Sequence, residues 1–301
     1  MAIVLALLAA GANALATILQ RIGVEEAEPS SASSRALMAS VLRRPIWFAG
    51  LALTTASFLL QAVALSIGDL STVQPVMVTE ILFLVVILGT WFQKPVGWRE
   101  LLGAVGTAAG LGVFLALSAA TGGRERPTSA DWLFLLVASV GAIALAFTGA
   151  HRGPRWWRAA AYGIAAGVAF ALTAACIKAV ADQWGRGPAF VLTHFEAYGV
   201  ALAGLGGLVI SQHALEAGPV AASQSALLIV NPVSSIIMGV WLFGDHIRAG
   251  GARLGVEAGA LAVMFAALFV LAHSPMVASG ATERLSGRYT YPEVQPGECA
   301  G

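Results

Sequence analysis

The sequence predicts an all-α, polytopic membrane protein with about nine transmembrane helices, arranged as two inverted four-helix repeats joined by a linker helix. Three observations predict it. The 301 residues are 58% apolar and 11% charged, whereas an average soluble domain is about 25% charged; a water-facing surface of this size could not be covered. Nine apolar runs approach or exceed the ~20 residues that cross roughly 30 Å of hydrocarbon. All eight tryptophans fall at or just outside the ends of those runs, where an indole, apolar in body with a polar N–H, prefers the headgroup interface.

The runs are about 2–19, 46–67, 70–92, 101–121, 132–150, 159–177, 189–210, 219–243 and 254–272. The first, Met1 to Leu19, lacks a basic flank and exceeds the ~7–15 apolar residues of a signal peptide, so it reads as a retained span. The interface tryptophans are Trp47, Trp91, Trp98, Trp132, Trp156, Trp157, Trp184 and Trp241. Loops after odd-numbered spans, with the tail, hold eleven basic residues, and the opposite side holds six, Lys178 among them. The positive-inside rule then places the C-terminus in the cytoplasm and the N-terminus outside a cell membrane. Residues 22–45 and 273–301, polar and rich in proline, glycine or serine, read as a cytoplasmic loop and a flexible cytoplasmic tail.

The chain also resembles itself. Gly68, Gln74, Gly89 and Trp91 match Gly218, Gln224, Gly239 and Trp241 at an offset of 150, and Gly103 matches Gly255 at 152. Ala9-Ala10-Gly11 in span one matches Ala165-Ala166-Gly167 in span six, and the two spans exit at Arg21 and Lys178. Spans one to four (residues 1–121) form one repeat, spans six to nine (159–272) the other, and span five (132–150) lies between. Four spans return the chain to its starting side, so one extra span inverts the second repeat. Inverted repeats place a transporter's solute site near the midplane, at their interface.

Composition excludes other classes. A net charge of +1 offers nothing to nucleic acid. Cys176 and Cys299 are too far apart for metal spacing or a disulfide framework. No HExxH, GxSxG or nucleotide-binding loop occurs, so an enzyme is not expected, no cofactor is called for, and no metal ligands are assigned.

The candidate site residues are polar groups set inside apolar runs. Glu80 leads them, within the 23 residues Leu70–Phe92. A carboxylate at that depth costs at least ~2.5–3.5 kcal/mol, and unlike an amide it can exchange a proton for a cationic solute. Gln74, Gln224, Asn231, Asn13 and Gln61 are amides in or near spans, fit either to bind solute or to join helices. Gln74 and Gln224 stand at equivalent repeat positions. Pro75 and Pro232 each remove a backbone donor, freeing the carbonyls of Ser71 and Leu228. His194 and Glu196 begin span seven, two residues apart and so on different faces; Glu257, one turn into span nine, could extend to the interface. GxxxG pairs at Gly106/Gly110, Gly163/Gly167 and Gly255/Gly259 predict close helix packing.

Several short motifs, in order, resemble the drug/metabolite transporter superfamily, and its NIPA-like branch most of all. Ile18-Leu19-Gln20-Arg21-Ile22-Gly23 is similar to the basic end of that family's first helix. Pro45-Ile46-Trp47-Phe48-Ala49-Gly50 is similar to the opening of its second, Val73-Gln74-Pro75 to a Val-Thr-Pro element in its third, and Cys176-Ile177-Lys178 to a Cys-Val-Lys element in its sixth. The resemblance implies a nine-span transporter and, for this branch, magnesium transport. The chain departs from the pattern at Gln74, where the family has threonine, and at Glu80, which has no counterpart in it.

Two readings of function follow: a secondary transporter of a small solute, proton-coupled through Glu80, or a magnesium or other divalent-cation permease. A membrane scaffold without transport is a remote third. The expected partners are the lipid bilayer and a small solute, proton or divalent cation. Magnesium prefers oxygen ligands and sheds water reluctantly, and one mid-membrane carboxylate is a poor dehydrated site for it.

Overall fold

The computed structural model describes residues 1–25, 44–93, 95–117, 127–151, 153–218, 220–245 and 251–274. Most of the expected loop 22–45 and tail 273–301 therefore lies outside the described residues, as does Cys299. The helices are α1 (Ala2–Glu25), α2 (Pro45–Ile67), α3 (Leu70–Met77), α4 (Glu80–Thr90), α5 (Trp98–Leu117), α6 (Ser129–Ala150), α7 (Arg155–Gln183), α8 (Pro188–Leu192), α9 (Phe195–Ala217), α10 (Val220–Phe243) and α11 (Gly251–Ala272). A 3₁₀ turn, Trp184–Arg186, joins α7 to α8. Among the described residues there is no strand.

Eight helical stretches are long and apolar enough to cross a membrane, and a ninth apolar stretch, Gly255–Leu271, is shorter. Leu59, Val86, Leu133, Val137 and Leu202 are among many large apolar side chains turned outward. In water they would form apolar patches far larger than a soluble monomer carries; in lipid they are solvated. The chain is a multi-pass membrane protein.

Local chemistry sets several helix starts. Pro45 takes the first turn of α2, where its missing N–H is not needed. Thr128 and Asp131 form a reciprocal capping box at the start of α6: the Thr128 Oγ1 accepts from the Asp131 N–H at 3.2 Å, and an Asp131 carboxylate oxygen accepts from the Thr128 N–H at 2.8 Å.

Packing follows the small residues. α1 lies against α2, α3 and α4; α7, alanine-rich and buried along most of its length, lies against α6, α9 and α10. A Cβ at Gly110 would stand 2.7 Å from the Ala260 carbonyl and the Met264 N, and one at Gly106 would stand 2.6 Å from the Ala267 Cβ. The α5 glycines thus let it meet α11 nearly backbone to backbone. Gly163 and Gly167 do the same for α7 against Ser223 and Val230 of α10. Gly255 and Gly259, expected to match, face open space, so the α5–α11 contact is grooved from one side only.

Three expectations need correction. The third run is not one helix: it breaks at Val78–Thr79 between α3 and α4. The seventh begins as the short α8 and restarts at Phe195. Trp132, in the first turn of α6, is buried and edge-on to Phe195 at 5.2 Å. Lys178 does not leave the bundle, because α7 runs on to Gln183; its ammonium is buried and is not a loop charge.

Candidate functional site

The break in span three builds the site. Pro75 cannot donate to the Ser71 carbonyl, and the backbone tightens just beyond it. Val78 N–H donates to Pro75 O at 3.3 Å and Thr79 N–H to Val76 O at 3.0 Å, both i to i−3, as in a 3₁₀ turn. The Thr79 hydroxyl also donates to Val76 O at 2.7 Å. Glu80 then opens α4. The Asn13 side chain of α1 stands beside it on the same cavity wall.

Glu80 faces a cavity of about 710 Å³ between α1–α4 on one side and α7, α9 and α10 on the other. Asn13, Gln61, Gln74, Asn231 and Pro232 also line it. Six of the eight principal sequence candidates, from five different helices, therefore meet at one place. Much of the remaining wall is apolar, with Phe58 and Phe170 the aromatic members and Thr173 a hydroxyl.

Two amides on the wall are incompletely paired. Gln74 is buried, and among the described residues its Nε2 has no hydrogen-bond partner and the Asn231 Oδ1 has none either. One offers a donor and the other an acceptor. An unpaired buried polar group costs ~1–3 kcal/mol, and here both stand beside space that a solute or water can fill. Pro232 leaves the Leu228 carbonyl without its usual i+4 donor, and Leu228 lines the same cavity. Among the described residues, Glu80 is the sole carboxylate on the wall and no lysine, arginine or histidine shares it.

The other candidates lie elsewhere. Pro75 is buried and acts on the site only through the break that follows it. Gln224 does not reach the cavity; one to two turns separate it from Leu228 and Asn231 on α10, and the symmetry with Gln74 does not extend to the wall. His194 sits ahead of α9, its ring Nδ1 2.8 Å from Phe190 O. Glu196 is buried and accepts from Gln183 Nε2 at 3.2 Å. Glu257 is 2% exposed rather than extended to an interface, and neither carboxylate oxygen has a hydrogen-bond partner among the described residues. None of these three lines the cavity. Cys176 is a free buried thiol. Among the described residues no group of three or more histidine, cysteine, aspartate or glutamate side chains is placed to hold a metal ion.

Sequence reasoning missed the aromatic wall and a charged cluster at one end of the bundle: Asp69, Lys178, Asp182 and Asp245. Phe58 and Phe170 are invisible among other apolar residues. The cluster did leave a trace, the paired Gly68-Asp69 and Gly244-Asp245 at two span ends.

No family model matches the chain, and no solved structure matches it. It is similar to an uncharacterized protein of Corynebacterium glutamicum, 24% identical over 282 residues, covering 93% of this chain and 97% of that protein.

Proposed function

We propose that the protein is a transporter of the drug/metabolite type that moves a small organic solute bearing one positive charge through the Glu80 cavity by alternating access. The observation that carries this reading is a wall on which, among the described residues, one carboxylate stands amid apolar, aromatic and amide groups and one hydroxyl. A volume of about 710 Å³ falls within the ~300–1,000 Å³ of small-molecule sites. An anion would meet Glu80 with no cation to offset it. An organic cation would meet the carboxylate, place its body against Phe58 and Phe170, and satisfy Gln74 and Asn231. Proton coupling follows from exclusion, since Glu80 holds a proton or the solute's charge and not both.

The helix contacts support a repeated architecture of nine spans. α1 packs on α2 and on α3–α4, as α7 packs on α9 and α10, and the last helices of the two halves, α5 and α11, pair with each other. Span five, α6, is the linker. The magnesium reading is weaker on its donors, one carboxylate and several amides where magnesium takes one or two carboxylates and keeps its waters.

Uptake into proteoliposomes tests the reading. Ethidium and tetraethylammonium should accumulate against an outward proton flux, and Glu80→Gln should abolish it. Magnesium uptake indifferent to a pH gradient, with no organic-cation uptake, would overturn it in favour of the permease.

A further inference from the structure

The charged cluster at the end of the bundle joins the two halves. Lys178, near the end of α7, donates from its Nζ to Leu65 O at 3.2 Å and to Gly68 O at 3.1 Å. Those carbonyls end α2, where a helix has acceptors to spare and favours a cation. Asp245, just after α10, accepts at 3.0 Å from the Ser71 N–H, which opens α3, where a helix has spare donors and favours an anion. One corner of the first half, α2–α3, is thus held from both sides by opposite charges of the second half. Lys178 is 7% exposed and Asp245 2%. The Lys178 ammonium also lies 5.4 Å from the Phe243 ring centre and 3.6 Å from Asp182. The Asp69 carboxyl, in the same cluster, is pushed above the usual range by burial and by Asp245, against the pull of Lys178.

The clasp lies just beyond the Ala174–Ile177 end of the cavity wall. Ile177 and Ala174 line the wall, and Lys178 follows them on α7; Gln74 lines it one turn below Leu70 and Ser71 on α3. Between wall and clasp, Leu65, Leu70, Val73, Met238, Leu242 and Phe243 pack into one buried cluster. Backbone approach is tight there as well. A Cβ at Gly239 would stand 2.5 Å from Asp245 Oδ2 and 3.0 Å from the Ser71 N. A solute leaving toward this end must part α3 from α10 and α2 from α7.

We propose that Lys178 and Asp245, clasping the α2–α3 corner, form the gate that shuts this end of the cavity and that opens once per transport cycle. Asp182, 45% exposed, and Asp69 are the carboxylates placed to receive the Lys178 ammonium when the carbonyls of Leu65 and Gly68 are released. The asymmetry suits a gate: the clasp is made of hydrogen bonds to backbone, which give full closure in one geometry and none after a small displacement. The gate rests on the cavity being the solute's path, but access to the cavity can be read without any flux.

The test is labelling of Thr173→Cys in the full chain, with Cys176→Ala and Cys299→Ser removing the native thiols. A membrane-impermeant maleimide is applied to each face of reconstituted vesicles in turn. Gly185→Cys, exposed beyond the Lys178 end of α7, identifies which face is which. With the gate intact, Thr173→Cys is protected from the Gly185 face. Adding Lys178→Met should raise labelling from that face about tenfold, in keeping with the loss of hydrogen bonds from a charged group. Asp245→Ala should act in the same direction, and Lys178→Arg should retain most of the protection. Asp245→Ala keeps the test decisive if Lys178→Met does not yield monodisperse protein. Free labelling of Thr173→Cys from the Gly185 face before any gate substitution would overturn the proposal, as would unchanged labelling in folded Lys178→Met or Asp245→Ala. Loss of the Glu80 reading alone, with uptake untouched by Glu80→Gln, leaves this labelling pattern as expected and so is told apart from failure of the gate.

Discussion

Two helices carry a proline within the bundle, and only one of them breaks. Pro75 is followed within three residues by the Val78–Thr79 break, after which Glu80 starts a new helix. Pro232 sits inside α10, which runs unbroken from Val220 to Phe243. The missing N–H is the same in both. What differs is what lies beyond it. After Pro75 the Thr79 hydroxyl returns to Val76 O, and Glu80 faces the cavity beside Asn13 of α1, so the polar groups at the break are met in the broken form. After Pro232 come Val233, Ser234, Ser235 and a further apolar run, and the helix resumes. A proline permits a break but does not by itself impose one. The two halves of the bundle thereby contribute unequally, the first supplying the charge and the second an amide and a freed carbonyl.

The sharpest way to break this comparison is to remove the charge that only one half supplies. Glu80→Gln should lower proton-driven organic-cation uptake at least ~30-fold, from the ~2–5 kcal/mol that losing one partner of a buried charge pair costs. Uptake within a fewfold of the parent protein would show that the first half contributes no special group. The second largest effect concerns the break itself. Pro75→Ala allows α3 and α4 to join and should draw Glu80 from Asn13, cutting uptake roughly tenfold, while Pro232→Ala should cost less; equal effects would mean that the two prolines play one role. Next, Asn231→Leu removes the acceptor of the second half and should reduce uptake about 2- to 10-fold, from ~0.5–1.5 kcal/mol per hydrogen bond. Gln224→Leu, off the wall, should change uptake less than about twofold. A larger loss would restore the symmetric pairing with Gln74.

Packing gives a prediction that leaves the site alone. Gly110→Ala drives a methyl toward the Ala260 carbonyl and Met264 backbone of α11, an overpacking of about 1–3 kcal/mol. Gly255→Ala meets nothing within 4 Å and should be neutral. Thermal unfolding in detergent should separate the two; equal midpoints would mean that α5 does not approach α11 this closely.

The spans were legible because each is a long apolar run, and few structures besides a membrane-crossing helix use a run of that length. Glu80, Gln74, Gln61, Asn13, Asn231 and Pro232 were legible for a related reason: each stands out against apolar neighbours. What that contrast cannot give is rotation. In a helix apolar all round, periodicity does not say which face meets the cavity, so Gln224 and Glu257 looked as good as Gln61. The break at Val78–Thr79 was hidden because its residues are ordinary in a helix and the cavity toward which it turns Glu80 is built largely by other helices. Lys178 and Asp245 sit at the ends of apolar runs, where charge normally meets water. Tertiary contacts, with the α2–α3 corner and with α10, bury them.

The most direct measurement is proton release on binding. Ethidium added to weakly buffered, detergent-solubilised protein should displace protons from the parent chain, in proportion to the cation bound, and none from Glu80→Gln. Cation binding without proton release, or release undiminished in Glu80→Gln, would contradict a cavity in which one carboxylate serves proton and solute by turns.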